Sequence, residues 1–217
     1  MNDMDTVLMI SVVLNFLAFI LTCVGTYVML KGIDADEHLA ADGWGSIKYF
    51  TVQSNLLYGA YAGIFAVCEL VCGSADAVPQ VMYLLKYVFT VGITLTMLTV
   101  LCYLAPVVEK SYPPLFKGAN LYFHLLVPLL GAAAFCFFEK SADIDIMQVF
   151  LGLIPFVLYG IYYSINALSH AENGQVSLKY DWYSFLAKGI DKAAIAALIM
   201  TAAATAICFG LWYINLI

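Results

Sequence analysis

Arginine is missing from this chain of 217 residues, and charged side chains of any kind make up only 11% of it. A soluble domain carries about a quarter charged residues. With 64% of the residues hydrophobic, apolar surface is in surplus and must face lipid. The net charge of −6 leaves no basic patch, which argues against nucleic acid as a partner. Cysteine is sparse as well. Cys23, Cys68, Cys72, Cys102, Cys136 and Cys208 fall within or at the ends of apolar runs, and Cys68 and Cys72 sit one turn apart without partner histidines. They read as small packing residues, with neither a disulfide framework nor a zinc site to support. A basic leader is also lacking: Met1 to Thr6 carries Asp3 and Asp5 and no lysine. The run that follows therefore reads as a first membrane span and not as a cleavable signal.

A helix crossing a hydrocarbon core needs roughly 20 apolar residues. Six segments meet that length: Val7–Leu30, Lys48–Cys72, Val81–Leu104, Leu121–Phe138, Ile144–Leu168 and Ala193–Ile217. They are continuous apolar runs, not the alternating segments of a membrane barrel. The stretches between them (Gly32–Gly45, Gly73–Pro79, Pro106–Gly118, Glu139–Asp143, Ser169–Asp191) are polar or turn-rich, and none is long enough to hold a second domain. The expectation is an all-α, polytopic membrane protein: one domain, residues 1–217, built as a bundle of six transmembrane helices.

Lysine is unevenly placed. Lys31, Lys48, Lys110, Lys117, Lys179, Lys188 and Lys192 follow or flank spans one, three and five, against Lys86 and Lys140 on the other side. The positive-inside rule makes the lysine-rich side cytoplasmic, with both termini outside. The plasma membrane of a prokaryote is the expected location.

Spans two and four enter from the lysine-rich side. Thr51 lies three residues past Lys48, and His124 four residues past Asn120, so each sits roughly 5 Å inside its helix at 1.5 Å per residue. An ionisable group within a span is costly and by default functional. A hydroxyl with an imidazole at the same depth is the minimum equipment for covalent catalysis. Thr51, Ser54, Asn55 and Tyr58 share one face of span two, at i, i+3, i+4 and i+7. That stripe either glues helices together or lines a catalytic pocket, with Ser54 or Asn55 orienting the nucleophile and Ser54 as a rival nucleophile. A second stripe of Tyr159, Tyr162, Tyr163 and Asn166 follows Pro155 in span five. A phenol there would anchor the helix at the interface, bind a substrate carbonyl or orient His124. Pro128, one turn beyond His124, frees a carbonyl of that turn and deforms the helix. His38 and His170 read as solvated loop residues, with His170 the fallback base. Asp34, Asp36, Glu37 and Asp42 read as a solvated loop face.

The segments Lys48-Tyr49-Phe50-Thr51 and Asn120-Leu121-Tyr122-Phe123-His124-Leu125-Leu126-Val127-Pro128 resemble the androgen-induced and androgen-dependent multipass membrane hydrolases, described as threonine hydrolases of fatty acid esters of hydroxy fatty acids. In that family a lysine or arginine stands three positions before the catalytic threonine. Its histidine is preceded by asparagine and followed four positions later by proline. The resemblance implies Thr51 as nucleophile and His124 as the essential histidine. The continuation Gln53-Ser54-Asn55-Leu56-Leu57 looks like the prokaryotic branch of the superfamily. Residues around both motifs differ from the animal pattern, which leaves the ester itself open.

The function expected is an intramembrane hydrolase of a long-chain fatty-acyl lipid ester. His124 takes the Thr51 proton, Thr51 forms an acyl-enzyme, and His124 then activates water. Asn120, Ser54, Asn55, Tyr58, Tyr159, Tyr162 and Asn166 are the expected orienting or substrate-binding residues. The expected partners are the lipid ester and the surrounding membrane lipids, with no cofactor and no metal. Two alternatives stay open: acyl transfer between lipids through the same intermediate, and a small-molecule binding or transport protein.

Overall fold

A computed structural model describes residues 6–34, 43–107, 115–172, 175–177, 179–186 and 189–217. His38, Lys110, Lys188, the loop acids Asp36, Glu37 and Asp42, and the leader acids Asp3 and Asp5 lie outside the described residues. The six apolar runs form six helices, each long and apolar enough to cross a membrane: α1 (Thr6–Lys31), α2 (Phe50–Cys72), α3 (Gln80–Leu104), α4 (Ala119–Phe137), α5 (Gln148–Ser169) and α6 (Ile190–Leu216). The protein is thus an all-α, multipass integral membrane bundle. Two short strands, Ala171–Glu172 and Gln175–Val176, pair antiparallel between α5 and α6, outside the spans.

Burial ranks the helices. α3 is 61% buried along its apolar window, whereas α5 and α6 are 22% buried. α3 is therefore the central post, packed by α2, α4, α5 and α6, and α1 closes the far side against α2 and α4. Where backbones approach closely, glycine makes room. A Cβ on Gly59 would stand 2.2 Å from the Thr22 hydroxyl oxygen, so α2 meets α1 there with no space for a methyl group. A Cβ on Gly131 would lie 2.5 Å from Ile93 Cδ1 and 2.7 Å from Tyr58 Oη, which seats α4 against α2 and α3 together.

α3 and α4 both depart from regular winding just before a proline near the lysine-rich end. Val100–Leu104 in α3 and Tyr122–Leu126 in α4 are π turns, closed by Ala105 N–H to Val100 C=O and by Val127 N–H to Tyr122 C=O. Pro106 and Pro128 stand at the same offset beyond them. Proline offers no N–H, and its ring crowds the carbonyl four residues back. A widened turn with i→i+5 bonds relieves the crowding and keeps the helix continuous.

The lysine tally needs one correction. Lys86 is not a span-end charge of the lysine-poor side: it is fully buried within α3. Among the described residues Lys140 is left as the loop lysine on that side, and its ammonium donates to the Ile214 and Asn215 carbonyls, both at 2.9 Å, at the end of α6.

Candidate active site

Thr51 is the second residue of α2 and is half-buried. The 3₁₀ turn Trp44–Lys48 and the extended Tyr49 (φ −79°, ψ 139°) precede the helix and set where it begins. This position matters chemically. Threonines deeper in the spans, such as Thr22, Thr26, Thr90 and Thr96, donate their hydroxyls to the carbonyl four residues back. Thr51 has no helical carbonyl at that distance, and among the described residues its hydroxyl makes no hydrogen bond. Its own N–H is one of the unpaired donors of a helix's first turn.

The polar stripe then divides by direction. At about 100° per residue, Ser54 lies about 60° to one side of Thr51 and Asn55 about 40° to the other. Asn55 faces α4. Its Nδ2 donates to the Thr51 carbonyl at 2.8 Å and to the Phe123 carbonyl at 2.9 Å. One side-chain amide thereby ties the backbone of Thr51 to the residue next to His124. Asn55 Oδ1 is buried without a hydrogen-bond partner among the described residues. Ser54 faces α3, with its Oγ 3.2 Å from the Thr51 carbonyl and 3.3 Å from Thr96 Oγ1. Tyr58, two turns along α2, packs against Gly131.

His124 sits inside the π turn of α4 and is 7% exposed. Its Nδ1 is 2.8 Å from the Leu115 carbonyl. A carbonyl only accepts, so Nδ1 carries the hydrogen and Nε2 holds the lone pair. The ring is therefore fixed as the tautomer a general base requires. Asn120, one turn earlier, is buried at the start of α4, and its backbone N–H donates to the Lys117 carbonyl at 3.0 Å.

Tyr159 does not orient His124, because its hydroxyl donates to the Lys48 carbonyl at 2.7 Å and accepts from Trp182 Nε1 at 3.1 Å. The Leu115 carbonyl holds the His124 imidazole instead, a backbone contact with no side-chain signature in sequence. Asn166 donates to the Tyr180 carbonyl at 3.4 Å and serves the loop before α6. His170 stacks on Tyr180 at 3.8 Å between ring centroids, with its Nδ1 2.8 Å from the Asn166 carbonyl, so it belongs to that loop and not to the site.

The same loop folds onto the start of α2. Tyr183 Oη accepts from Phe50 N–H at 3.1 Å, and burial raises its phenol above the ordinary tyrosine value. Tyr183 also packs edge-on against Tyr49, and Lys48 Nζ lies 5.4 Å from the Trp182 ring. Tyr163 donates to Asp181, which also accepts from Phe185 N–H at 3.1 Å.

A pocket of about 420 Å³ opens between α2, α3 and α5. Phe50, Gln53, Ser54 and Leu57 line it from α2, Phe89 and Gly92 from α3, and Pro155, Leu158, Tyr159 and Tyr162 from α5. Leu57, Leu158 and Tyr162 are 54%, 62% and 47% exposed, so the pocket opens on the flank of the bundle. Neither Thr51 nor His124 lines it. Thr51 stands on α2 between the pocket-facing Ser54 and the α4-facing Asn55. Among the described residues, no three histidine, cysteine or acidic side chains gather in a way that would hold a metal ion.

Sequence reasoning passed over a buried polar group at the other end of the bundle: Asn15, Glu69, Lys86 and Glu139. The signal was present, since Glu69 and Lys86 are charges inside apolar runs. Glu139 had been placed with a polar linker, yet it is 1% exposed.

No protein-family model, curated protein or solved structure matches this chain.

Proposed function

We propose that this protein is an intramembrane hydrolase of long-chain fatty-acyl esters, with Thr51 as nucleophile and His124 as general base. The observation that carries the reading is the Asn55 bridge, which ties the Thr51 backbone to that of Phe123, beside an imidazole already fixed in the basic tautomer. His124 Nε2 removes the proton from Thr51 Oγ as that oxygen attacks the ester carbonyl. The Thr51 N–H is a donor available to the developing oxyanion. Collapse expels the alkoxide, which takes the proton back from the imidazolium, and leaves acyl-Thr51. His124 then deprotonates a water, which attacks the acyl carbonyl; the fatty acid departs and the Thr51 hydroxyl is restored. The apolar pocket beginning at Phe50 and Ser54, on either side of Thr51 in sequence, holds the acyl chain. Replacing the water with a lipid hydroxyl gives acyl transfer by the same steps.

With Lys86 removed from the tally, Lys31, Lys48, Lys117, Lys179 and Lys192 stand against Lys140 among the described residues. This supports an orientation with the active-site end in the cytoplasm, in the proposed location of a prokaryotic plasma membrane.

A second reading, a small-molecule binding or transport protein, is favoured by one fact: the pocket is lined by Gln53 and Ser54 and not by the catalytic pair. One experiment separates the two. Purified wild type, Thr51→Ala, His124→Ala and Ser54→Ala are given a lipid ester and a fluorophosphonate probe. The hydrolase reading expects turnover and labelling to fall by about 10²-fold or more in the first two variants and to persist in Ser54→Ala. Unchanged labelling in Thr51→Ala excludes it as the nucleophile.

A further inference from the structure

At the end of the bundle away from Thr51, four spans converge on side chains that the proposed chemistry does not use. Asn15 of α1, Glu69 of α2, Lys86 of α3 and Glu139, two residues past α4, are each at most 1% exposed. Lys86 Nζ donates to Glu139 Oε1 at 3.0 Å and to Asn15 Oδ1. Asn15 Nδ2 donates to Glu139 Oε1 at 2.9 Å and reaches Glu69 Oε2 at 3.5 Å. Ser11 Oγ donates to Glu69 Oε1 at 2.6 Å. One ammonium therefore pairs with only one of two carboxyl groups that share an amide donor.

The charge does not balance. Among the described residues, the other titratable groups around this site are phenols and thiols, Tyr58, Tyr61 and Cys68 on α2, Tyr83 on α3 and Cys136 on α4, and none supplies a positive charge. The rest of the ammonium faces aromatic rings, 4.9 Å from the Tyr58 centroid and 5.2 Å from that of Phe65. Two ionised carboxylates with one lysine would leave an uncompensated charge in a membrane interior, which is costly. Two carboxyl groups in one enclosed site also do not both ionise readily. The acceptors point the same way, because Glu139 Oε2 is buried with no hydrogen-bond partner among the described residues. It is an oxygen still waiting for a donor.

We propose that this cluster is a binding site for one exchangeable proton, held by the Glu69 carboxyl and offered to the Glu139 carboxylate, with Lys86 as the fixed counter-charge. Glu69 is the carrier because Lys86 already pairs with Glu139, whereas the neighbours of Glu69 are a hydroxyl and an amide. An alkali cation fits less well. It would need several oxygen ligands, and Asn15 Oδ1 and Glu139 Oε1 already face the ammonium.

Infrared spectroscopy of the full-length protein in lipid bilayers tests this directly, because it needs no reagent to reach the interior. Wild type at neutral pH should show the carbonyl band of a protonated, buried carboxylic acid, which shifts in heavy water and disappears at high pH. Glu69→Gln imitates the neutral acid, so it should fold and lack the band; Glu139→Gln should not gain one. Lys86→Met, if it folds, should add a second band, since Glu139 loses its counter-charge. A wild-type spectrum without the band, or a band that survives in Glu69→Gln, overturns the proposal. A band that sodium ions abolish at constant pH overturns it too, and makes the site a cation site.

Discussion

Asn55 is the residue whose loss tells most. Its amide is the donor between two buried carbonyls, those of Thr51 and Phe123. Interhelical hydrogen bonds in membranes are worth about 0.6–2 kcal/mol, so Asn55→Leu should lower stability by about that much. If the bridge holds nucleophile and base in register, kcat should fall much further than that, with KM little changed. A thermal shift in detergent read beside ester turnover checks both halves. Lys86→Met belongs at the same scale and tests a different energy. Stripping one partner from a buried ion pair costs about 3–5 kcal/mol, and the thermal midpoint should drop accordingly. Glu69→Gln, which removes no counter-charge, should be close to wild type. Among single residues, the sequence singled out Thr51 and His124 by expecting a hydroxyl and an imidazole at equal depth in two spans entering from one face, whereas Thr51 is the second residue of α2 and His124 the sixth of α4. Sequence did not reveal what fixes the imidazole, since a backbone carbonyl such as that of Leu115 is chemically identical in every residue.

The elements were readable in a different measure. Continuous apolar runs located all six helices to within a few residues, because length and hydropathy alone decide whether a segment can span. The turns inside them were not readable from hydropathy. Pro128 pointed to a deformed helix, but the form it takes, a π turn enclosing His124, depends on how α4 packs. A π turn holds one residue more than the α turn it replaces, so it rotates what lies on either side. Pro128→Ala restores the missing N–H and permits regular winding, which would change the direction in which His124 points. The expected result is a loss of turnover of up to about 100-fold, the scale set by small misplacements of reacting groups, with stability unchanged or slightly raised. Full activity in a stable Pro128→Ala protein would show that the widened turn does not position the base. The loop before α6 is the other element that sequence left unread. Its rings look like interfacial anchors until Tyr183 is seen to accept the first amide of α2.

At the scale of the whole molecule, chemistry is segregated lengthwise. The proposed nucleophile and base lie at the lysine-rich end, and the enclosed carboxyl pair lies at the other. The proposed orientation has a direct check. With native thiols replaced, cysteine introduced in place of Lys140 should react with a membrane-impermeant maleimide on intact cells. Cysteine in place of Lys179 should react only after the membrane is opened. The reverse pattern inverts the orientation and puts the catalytic end outside. The architecture itself was legible because polar loops are short and no stretch could fold alone. The long-range polar group was not, because Glu139 lies just past its helix and its burial depends on three other spans.

The rim formed by Leu57, Leu158 and Tyr162 has a kinetic consequence. A cavity whose mouth is on the side of the rod is filled by two-dimensional diffusion from neighbouring lipids, not by collision from bulk water. The proposed hydrolysis, followed in mixed micelles, should therefore track the mole fraction of ester in the micelle. At a fixed ester molarity, added inert detergent should slow the reaction in proportion to the dilution of its surface.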